Sequence, residues 1–543
     1  MARLGFSLLV AVTVGGGALT GALVGEKAPG NGGATGFLAR YTQILEKTQE
    51  LAPLEVPASE LVYGSVDGML ETLDPHSNFL RPEAFAAMRE RQQGSFYGIG
   101  VLIGIRGGKV TILTPIEGTP AYRLGLRAGD IIEAVDGQST EDMDLDEVAR
   151  RLRGPEGTTV RVTIIRPGLP EPLEFQVTRA RVPTDSVRYA FLLNERTAYI
   201  RIGEFTRTTG HEVANALKNL TNQGATRLIL DLRDNPGGLV DSAVEVAGLL
   251  LQPGQRVFST RGRTADSFQD YRVPRDGQHF EGPVVVVVNQ TTASAAEIVA
   301  GAIQDHDRGL VVGEPTFGKG VVQTIFPVKN CGVALTTAKY YTPSGRCIQR
   351  DWDSYFAYVS HEELKANGGP EPLATPTPPP GEVYFTDSGR KVYGNGGIFP
   401  DRFRRLGEYS ATVSKLLAQS AFFQYAVSYL APHQDKETVA RAFRADDQQL
   451  EAFGQTAVQK GWVTAEEWSE ALAKPADKQD ISVLLTSEVV NVGVSLSEGY
   501  KVLVRDDEQV QEALAALEEA GRLYQRVQGS SQQAARIPPK ATF

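Results

Sequence analysis

The chain has 543 residues, of which 41% are hydrophobic and 22% charged, a composition typical of globular proteins and a length sufficient for about three domains. Its formal net charge is −10, so its surface is acidic overall. This acidity argues against nucleic acid as the main partner, because proteins that bind nucleic acids carry basic patches.

The first 28 residues differ from the rest of the chain. Arg3 is followed by the uncharged apolar run LGFSLLVAVTVGGGALTGALVG. A basic residue before such a run is typical of a secretory signal or of an uncleaved membrane anchor, and the run does not decide between them. We therefore expect an extracytoplasmic protein, periplasmic or in the cell envelope, that is either released or anchored.

Two helical stretches and a β-rich stretch are predicted from the spacing of apolar residues. Residues 37–93 show helical spacing and predict a small N-terminal helical region. Residues 94–180 alternate short apolar runs with glycines, which indicates a β-rich domain with one helix at 142–154. Residues 409–543 are charge-rich and helical and end in a polar tail.

Residues 181–405 form the predicted central domain. Strand-like and helix-like segments alternate up to about residue 350, and the strands, such as PVVVVVN, are almost continuously apolar. This pattern predicts a parallel sheet buried on both faces, hence a multidomain α/β fold. A Pro-rich stretch at 362–382 predicts a loop or linker.

The chain has two cysteines, Cys331 and Cys347, which flank a segment predicted as a hairpin-like pair of strands. In an exported protein they could form a disulfide; the alternative is two thiols. No CxxC or Cys/His cluster is present, so the sequence predicts no metal site and no cofactor.

Ser294 lies where a buried strand has ended at Asn289 and a helix begins. The N–H groups at a helix N-terminus are unpaired, and the helix dipole favours an anion there. A serine nucleophile at this point would have oxyanion donors beside it, the N–H of Ala295 first. Taken alone, this segment favours the alternative that Ser294 merely caps the helix.

A second Gly-rich turn, at Gly237 and Gly238, precedes another helix after the strand RLILDLR. Its outward N–H groups could supply a second oxyanion donor. The alternative is a strand–helix turn without a functional role, which is common in α/β folds.

A serine nucleophile needs a base, and Lys319 is the candidate. The nearest histidine, His306, is twelve positions along the same helix and so about 18 Å from Ser294. Lys319 lies between Gly318 and Gly320 and has apolar neighbours that could bury it. A lysine acts as a base only if its pKa falls well below about 10.4; the alternative is an exposed loop lysine.

The same segment nearly matches a phosphate-binding loop. Gly313 is followed by four residues and then by Gly318 and Lys319, but Gly320 stands where the magnesium-binding Ser or Thr is required. The sequence VVQTIFPV that follows is strand-like and cannot cradle phosphate as a helix would. Nucleotide binding is therefore not expected.

Several blocks together resemble the carboxyl-terminal processing peptidases, also called tail-specific proteases. They are DLRDNPGGL, TTASAAEIVAGAIQD, VVGEPTFGKGVVQ and LTTAKYYTPSGR, in the order of that family, with LETLDPHSNFL before them and GRKVYGNGGIFPD after them. The resemblance covers about residues 60–405. It implies a crotonase- or ClpP-like βα peptidase core at 181–405, a PDZ domain at 94–180 and flanking helical regions.

The resemblance also implies a role for individual residues. Ser294 would be the nucleophile, Lys319 the general base and Gln323 the residue that assists the lysine, while Ala295 and one of Gly237 or Gly238 would form the oxyanion hole. An extended strand would separate the Cα atoms of Lys319 and Gln323 by about 13 Å. A bulge or turn at Gly320 is therefore expected.

The PDZ resemblance predicts a site for a peptide C-terminus. The backbone N–H groups of Tyr97–Gly100 would hold the terminal carboxylate, and the peptide would add as a strand along Ile99–Ile103. The predicted peptide-binding residues are Tyr97, Gly98, Ile99, Gly100, Val101, Val148 and Leu152. The alternative is a PDZ fold that serves only as a structural hinge.

The leading hypothesis is a serine endopeptidase that cleaves exported proteins with free, apolar C-terminal tails. The competing hypotheses are a PDZ binding scaffold on a silent peptidase fold and a crotonase-like acyl-CoA enzyme. The presence of both Ser294 and Lys319 counts against the scaffold, and the PDZ-like segment counts against the acyl-CoA enzyme. Membrane anchoring and homo-oligomer formation stay open.

Overall fold

The computed structural model describes residues 34–167, 169–275, 279–350 and 382–535. The predicted export segment at 1–28 and, apart from Glu382, the Pro-rich stretch at 362–382 lie outside these residues. The chain divides into two compact units, residues 1–81 and 82–543. Within the described ranges, no helix is both long and apolar enough to cross a membrane.

From residue 34 onwards, the first unit contains two helices and one short strand: α1 (Ala34–Leu51), α2 (Ala58–Glu71) and β1 (Asn78–Leu80). The rings of Tyr63 and Phe79 pack 5.2 Å apart, and Arg81 forms an ion pair with Glu60 at 2.8 Å. These contacts hold β1 and the end of the unit against α2. The last helix in the predicted N-terminal helical region, α3 (Pro82–Gln93), belongs to the second unit.

Residues 95–183 form a β-rich domain in the second unit. Its strands are β2 (Ser95–Gly98), β3 (Val101–Arg106), β4 (Lys109–Pro115), β5 (Ile131–Val135), β6 (Gln138–Ser139), β7 (Thr159–Ile165), β8 (Leu173–Thr178) and β9 (Ala180–Pro183). The main sheet has the antiparallel order β3-β4-β5-β7-β8, with β6 beside β5, while β2 and β9 pair separately. Helices α4 (Pro120–Arg123) and α5 (Leu145–Leu152) complete the domain, and β3 is an edge strand of its sheet.

The central sheet confirms the predicted strand–helix alternation. It has the order β10-β11-β12-β15-β16-β21, parallel except for β10. Its strands are β10 (Val187–Asn194), β11 (Thr197–Ile202), β12 (Arg227–Asp231), β15 (Val284–Val288), β16 (Leu310–Gly313) and β21 (Arg402–Phe403). The sheets of the described residues are open, and the crotonase- or ClpP-like architecture stays a prediction.

Three helices cover one face of this sheet: α6 (Thr209–Asn222), α7 (Val240–Gly248) and α8 (Ala295–Asp305). Every valine of β15 is fully buried, and alternate valines point to opposite faces. Val284, Val286 and Val288 pack with α7 and α8, whereas Val285 and Val287 face the other side. The strand is apolar throughout because both faces are covered.

A second, antiparallel sheet lies beside the central one and carries the segment after Lys319. It contains β17 (Val321–Val328), β18 (Cys331–Tyr341), β13 (Arg256–Gly262) and β14 (Gln269–Arg272), paired in that order. A small ribbon of β19 (Val383–Phe385) and β20 (Lys391–Tyr393) follows.

The predicted hairpin between the two cysteines is wrong. β18 is one strand of 11 residues whose long partner is β17, and the returning segment makes a single bridge between Tyr341 and Cys347. The return is short because Arg346 turns inward to Asp305 instead of continuing along the strand. Cys331 and Cys347, both within the described ranges, are not joined by a disulfide.

The C-terminal region is helical, as predicted. Its helices form two groups, which pack against different parts of the protein. Helices α9 (Ala411–Ala418), α10 (Ala421–Leu430), α11 (Lys436–Ala442), α12 (Asp447–Gln459), α13 (Ala465–Ala473) and α14 (Pro475–Gly493) share a core of their own. Helices α15 (Leu496–Asp506) and α16 (Glu508–Ala535) instead cover the second face of the central sheet. Residues such as Val510, Ala513 and Leu517 pack there against Val285 and Val287.

The buried ion pair of Asp305 and Arg346 generates a prediction about stability. Both side chains are fully buried and 2.7 Å apart. Asp305→Ala should lower the free energy of unfolding by about 3–5 kcal/mol, because it leaves the guanidinium buried with less compensation. Asp270→Ala, which breaks the exposed pair with Arg256, should cost about 1 kcal/mol or less. Urea unfolding compares the two, and equal losses would contradict the prediction.

Candidate active site

Ser294 occupies a strained turn between β15 and α8. Its φ and ψ are 55° and −116°, a combination that residues with a side chain rarely adopt. Ser420, which also precedes a helix with positive φ, has the ordinary left-handed ψ of 34°. Backbone strain of this kind is typical of serines presented at a sharp strand-to-helix turn. Ser294 is partly accessible, whereas Ala293 and Ala295 are buried.

Lys319 lies in the irregular segment between β16 and β17 and is half-buried. Its Nζ donates to Gln323 Oε1 at 2.5 Å, so the structure brings these two predicted residues together. The β17–β18 register shifts between Val322 and Gln323, where Thr337 of β18 is the extra residue, and the bulge or turn expected at Gly320 stays a prediction. Gly320 is needed for another reason, since a Cβ atom there would lie 2.5 Å from the backbone nitrogen of Gln349.

The carboxylate of Glu297 joins the Ser294 turn to the Lys319 segment. Its Oε2 accepts the backbone N–H of Ser294 at 2.8 Å and that of Lys319 at 2.9 Å. Its Oε1 accepts the N–H of Gly318 at 2.7 Å and the hydroxyl of Thr316. Since one oxygen binds both N–H groups, the backbone nitrogens of Ser294 and Lys319 lie within about 6 Å of each other.

Glu297 is fully buried, and burial raises the pKa of its carboxyl, although the four hydrogen bonds that it accepts act in the opposite direction. Three of the four partners are backbone N–H groups, which only donate, so a carboxylate with two accepting oxygens fits this arrangement better than an amide does. Our sequence reasoning missed Glu297. Its position three residues after the N-cap Ser294 is the capping-box spacing, and this signal could have found it.

Two further contacts hold the same pair of segments together. The N–H of Phe317 donates to the carbonyl of Thr292 at 2.9 Å. The buried Tyr340 donates its backbone N–H to the Gly320 carbonyl at 2.9 Å and its hydroxyl to the Ser294 carbonyl at 3.4 Å. The Ser294 turn and the Lys319 segment are therefore held together by several independent contacts.

The predicted oxyanion donors lie next to Ser294. A Cβ atom on Gly237 would lie 2.8 Å from Ser294 Cβ and 2.9 Å from the Ala295 nitrogen. The Gly237 N–H is occupied by Asn235 Oδ1 at 2.8 Å, whereas no hydrogen bond among the described residues uses the Gly238 N–H as donor. Ala295 is the first residue of α8, so its N–H has no intrahelical acceptor. This geometry favours Ala295 with Gly238.

His306 is positioned for a different role. It follows the last residue of α8, and its ring nitrogens contact Asp387 Oδ2 and the Arg256 carbonyl, each at 2.8 Å. Both nitrogens are therefore engaged at the end of the helix remote from Ser294. In the described part of the chain, no group of three or more His, Cys, Asp or Glu side chains is arranged to hold a metal ion.

The predicted peptide-binding residues lie along β2, β3 and α5 of the β-rich domain. Tyr97 and Gly98 belong to β2 and pair with Arg181 and Ala180 on β9, whereas Ile99 and Gly100 follow as an irregular link to Val101. Among the described residues, no hydrogen bond uses the N–H of Ile99 or Gly100 as donor.

The two predicted pocket residues on α5 are in the core of the domain. Val148 is 0% exposed and Leu152 is 4% exposed, and both pack with Ile99. A peptide side chain could enter here only if this packing opens, so the pocket stays a prediction.

The Glu297 carboxylate generates the second prediction. Glu297→Gln should slow the reaction of Ser294 with a serine-directed phosphonate by about tenfold or more, because an amide NH₂ would face N–H donors and push the two segments apart. The free energy of unfolding should fall by about 1–3 kcal/mol. Glu314→Gln, in the same segment but paired with Arg405, is the matched control and should react at the wild-type rate. Equal labelling rates for both variants would contradict this role.

Comparisons with known proteins match this chain to a peptidase family and to a PDZ domain. The model of Peptidase family S41 matches residues 196–352, and a PDZ domain model matches residues 111–166. The carboxy-terminal-processing protease of Bartonella bacilliformis is 37% identical over 317 residues, covering 58% of this chain and 72% of that protein. The carboxyl-terminal-processing protease of a Synechocystis species is 40% identical over 300 residues, covering 54% of this chain and 69% of that protein.

Among solved structures, a photosystem II D1 C-terminal processing protease is 34% identical, with a TM-score of 0.33, and covers 57% of this chain and 84% of that one. The sequence relatives carry the assignment, because the first of them is matched over more than two thirds of its length. The chain belongs to the carboxyl-terminal processing protease family and is a serine-type peptidase with a PDZ domain.

Proposed function

We propose that the chain is an endopeptidase in which Ser294 is the nucleophile and Lys319 the general base, acting on exported proteins that its PDZ domain recognises by their C-terminal tails. The observation that carries the proposal is the shared acceptor Glu297 Oε2, which holds the backbones of Ser294 and Lys319 together. This contact counts against the alternative of a PDZ binding scaffold on a silent peptidase fold, because such a scaffold does not need Ser294 and Lys319 to be held together.

In the proposed acylation step, Ser294 Oγ attacks the scissile carbonyl carbon and its proton passes to the neutral amine of Lys319. The charge that develops on the carbonyl oxygen is met by the N–H groups of Ala295 and Gly238, beside the positive end of α8. The lysine then protonates the departing amine, and the acyl-enzyme is hydrolysed by water activated in the same way.

Gln323 has a defined part in this proposal. Its amide oxygen accepts a hydrogen bond from Lys319 Nζ and so fixes the direction of the amine. A carboxylate in the same place would favour the charged ammonium, whereas a neutral amide orients the lysine without that penalty. This choice suits a lysine that must be neutral to accept a proton.

Tail recognition is proposed to use the free edge of β3. Among the strands that the structure describes, β3 pairs with β4 alone, so its opposite edge can accept a peptide strand. The N–H groups of Ile99 and Gly100 lie at the start of this edge and would bind the terminal carboxylate. The N-terminal apolar run supports the proposed extracytoplasmic location, whether the protein is released or anchored.

The catalytic pair generates the third prediction. Ser294→Ala and Lys319→Ala should each lower kcat for an unfolded protein such as casein on the order of 10⁴-fold or more. Lys319→Arg should be as inactive as Lys319→Ala, because a guanidinium stays protonated at any usable pH. Wild-type kcat/KM should rise with pH across the range 5 to 10, since only the neutral amine accepts a proton.

Circular dichroism checks the folding of each variant, and Lys329→Arg in the exposed β17–β18 turn is the matched control for the lysine substitution. A folded Ser294→Ala enzyme that still cleaves would refute the nucleophile. A folded Lys319→Arg enzyme with near-normal turnover would refute the base and leave Ser294 with another partner.

The PDZ site generates the fourth prediction. A peptide with a free C-terminal carboxylate should bind about 10- to 100-fold more tightly than the same peptide with a C-terminal amide, since charge-assisted hydrogen bonds are lost in the amide. Fluorescence anisotropy with the Ser294→Ala protein measures both affinities without cleavage. Equal affinity for acid and amide would show that tails are not read at this site.

A further inference from the structure

The turn that carries Gly237 and Gly238 has no regular secondary structure apart from one backbone bridge between Phe205 and Gly238, and side-chain contacts hold the residues before it. On the side of Ser294, Asp234 accepts hydrogen bonds from Asn289 and Thr291 at 2.8 and 2.9 Å. The side-chain NH₂ of Asn235 donates to the Ile202 carbonyl at 2.9 Å, and the backbone carbonyl of Asn235 accepts the N–H of Ala293 at 2.9 Å. These contacts bind the turn to the strand ends of the central sheet.

On its other side the turn is held by Arg233, whose side chain is only 3% exposed. Its Nε and Nη2 bind the buried carboxylate of Asp231, with Nη2 at 2.6 Å. Its Nη1 binds Asp507 Oδ2 at 2.6 Å and Gln509 Oε1 at 3.0 Å. Asp507 and Gln509 lie at the junction of α15 and α16, so the C-terminal region supplies the acceptors for one end of this guanidinium.

A second link runs through Arg201. Its Nη1 donates to the hydroxyl of Tyr500 on α15, and its Nη2 donates to Asp234 Oδ2 at 2.8 Å. The Tyr500 hydroxyl also lies 3.2 Å from that of Tyr199, which donates to Asp231. The ring of Tyr500 stacks on Tyr189 at 3.8 Å. The two links therefore connect α15 and the start of α16 to both ends of the 231–234 segment.

We propose that Tyr500, Asp507 and Gln509 are positioning residues for the peptidase reaction, which set the oxyanion turn through Arg201 and Arg233. The inference rests on the proposed function, in which Gly238 N–H binds the oxyanion. Without the C-terminal acceptors, Arg233 turns towards other partners and carries the 233–238 backbone with it. A displacement of about 1 Å at such a donor can cost about 100-fold in rate.

The effect should fall on kcat and not on KM. The oxyanion forms only as the reaction proceeds, so a misplaced donor weakens transition-state binding and leaves substrate binding intact. A purely structural role of α15 and α16 would instead lower only the folded fraction, so that kcat calculated per folded molecule would keep the wild-type value.

The experiment compares Asp507→Ala, Asp507→Asn and Tyr500→Phe with the control Glu512→Gln in the full-length protein. Glu512 lies on α16 and forms an ion pair with Arg402 of β21 at 2.7 Å, so its substitution weakens the docking of the same helix without touching the turn. Asp507 accepts Arg233 at Oδ2 and the N–H groups of Gln509 and Val510 at Oδ1, so asparagine, with one oxygen and one NH₂ group, can satisfy only one of these two sets.

We expect Asp507→Ala to lower kcat about 10- to 100-fold with KM within about twofold of wild type. Asp507→Asn should recover at most part of that loss, because one of its two amide atoms faces a donor, and Tyr500→Phe should lower kcat several-fold. Glu512→Gln should keep the wild-type kcat. Labelling of Ser294 by a phosphonate should slow in proportion to kcat, and thermal unfolding measures the folded fraction of each protein.

An Asp507→Ala enzyme with the kcat of Glu512→Gln, or with a change confined to KM, would overturn the inference. If Asp507→Ala does not fold, Tyr500→Phe decides, and a wild-type kcat in that variant would overturn it. Ser294→Ala is assayed in parallel: cleavage by that variant refutes the proposed nucleophile, whereas its inactivity together with a normal Asp507→Ala kcat refutes only the positioning role.

Discussion

The buried carboxylate of Glu297 is the constraint on which the geometry of the site depends. Ser294 follows the central sheet and Lys319 precedes the second sheet, so nothing in either sheet alone fixes the distance between them. One side chain in the first turn of α8 accepts hydrogen bonds from both backbones. Burial of this carboxylate costs solvation free energy, and the four hydrogen bonds that it accepts counteract that cost. A buried carboxylate with fewer donors would destabilise the fold more than an apolar side chain in its place.

The second organising feature is the central sheet, which has to be covered on both faces. The helices α6, α7 and α8 cover one face, with Ser294 at the start of α8, and α15 and α16 cover the other. The C-terminal helices are therefore part of the peptidase core in physical terms, although the family model ends at residue 352. Because α16 must be present for the sheet to be buried, its N-terminal end can also hold Arg233.

The sequence predicted the elements that depend on local pattern. The strand–helix alternation, the helix start at Ser294 and the glycines around Lys319 are encoded in neighbouring residues. The resemblance to a family then added Gln323, whose distance from Lys319 no local pattern gives. The irregularity between Val322 and Gln323 arises from pairing with β18, which is a tertiary effect.

What the sequence did not predict comes from contacts between distant residues. Glu297 had the spacing of a capping residue, but its contacts with Gly318 and Lys319 depend on how two sheets pack. Arg233 and Asp507 are 274 positions apart, and the hairpin expected after β18 was replaced by a turn that sends Arg346 to Asp305. Each of these is a buried polar group whose partner is set by the fold.

The same reasoning explains why the site combines rigid and open parts. A serine peptidase must hold its nucleophile, base and oxyanion donors to within a fraction of an ångström before the substrate binds. If these groups had to move during the reaction, the free energy of that movement would add to the activation barrier. Ser294, Lys319 and the 233–238 turn are accordingly held by buried, charge-assisted hydrogen bonds. The β3 edge has no such fixation, which suits the proposed binding of peptide tails there, because an added strand needs open hydrogen-bonding groups.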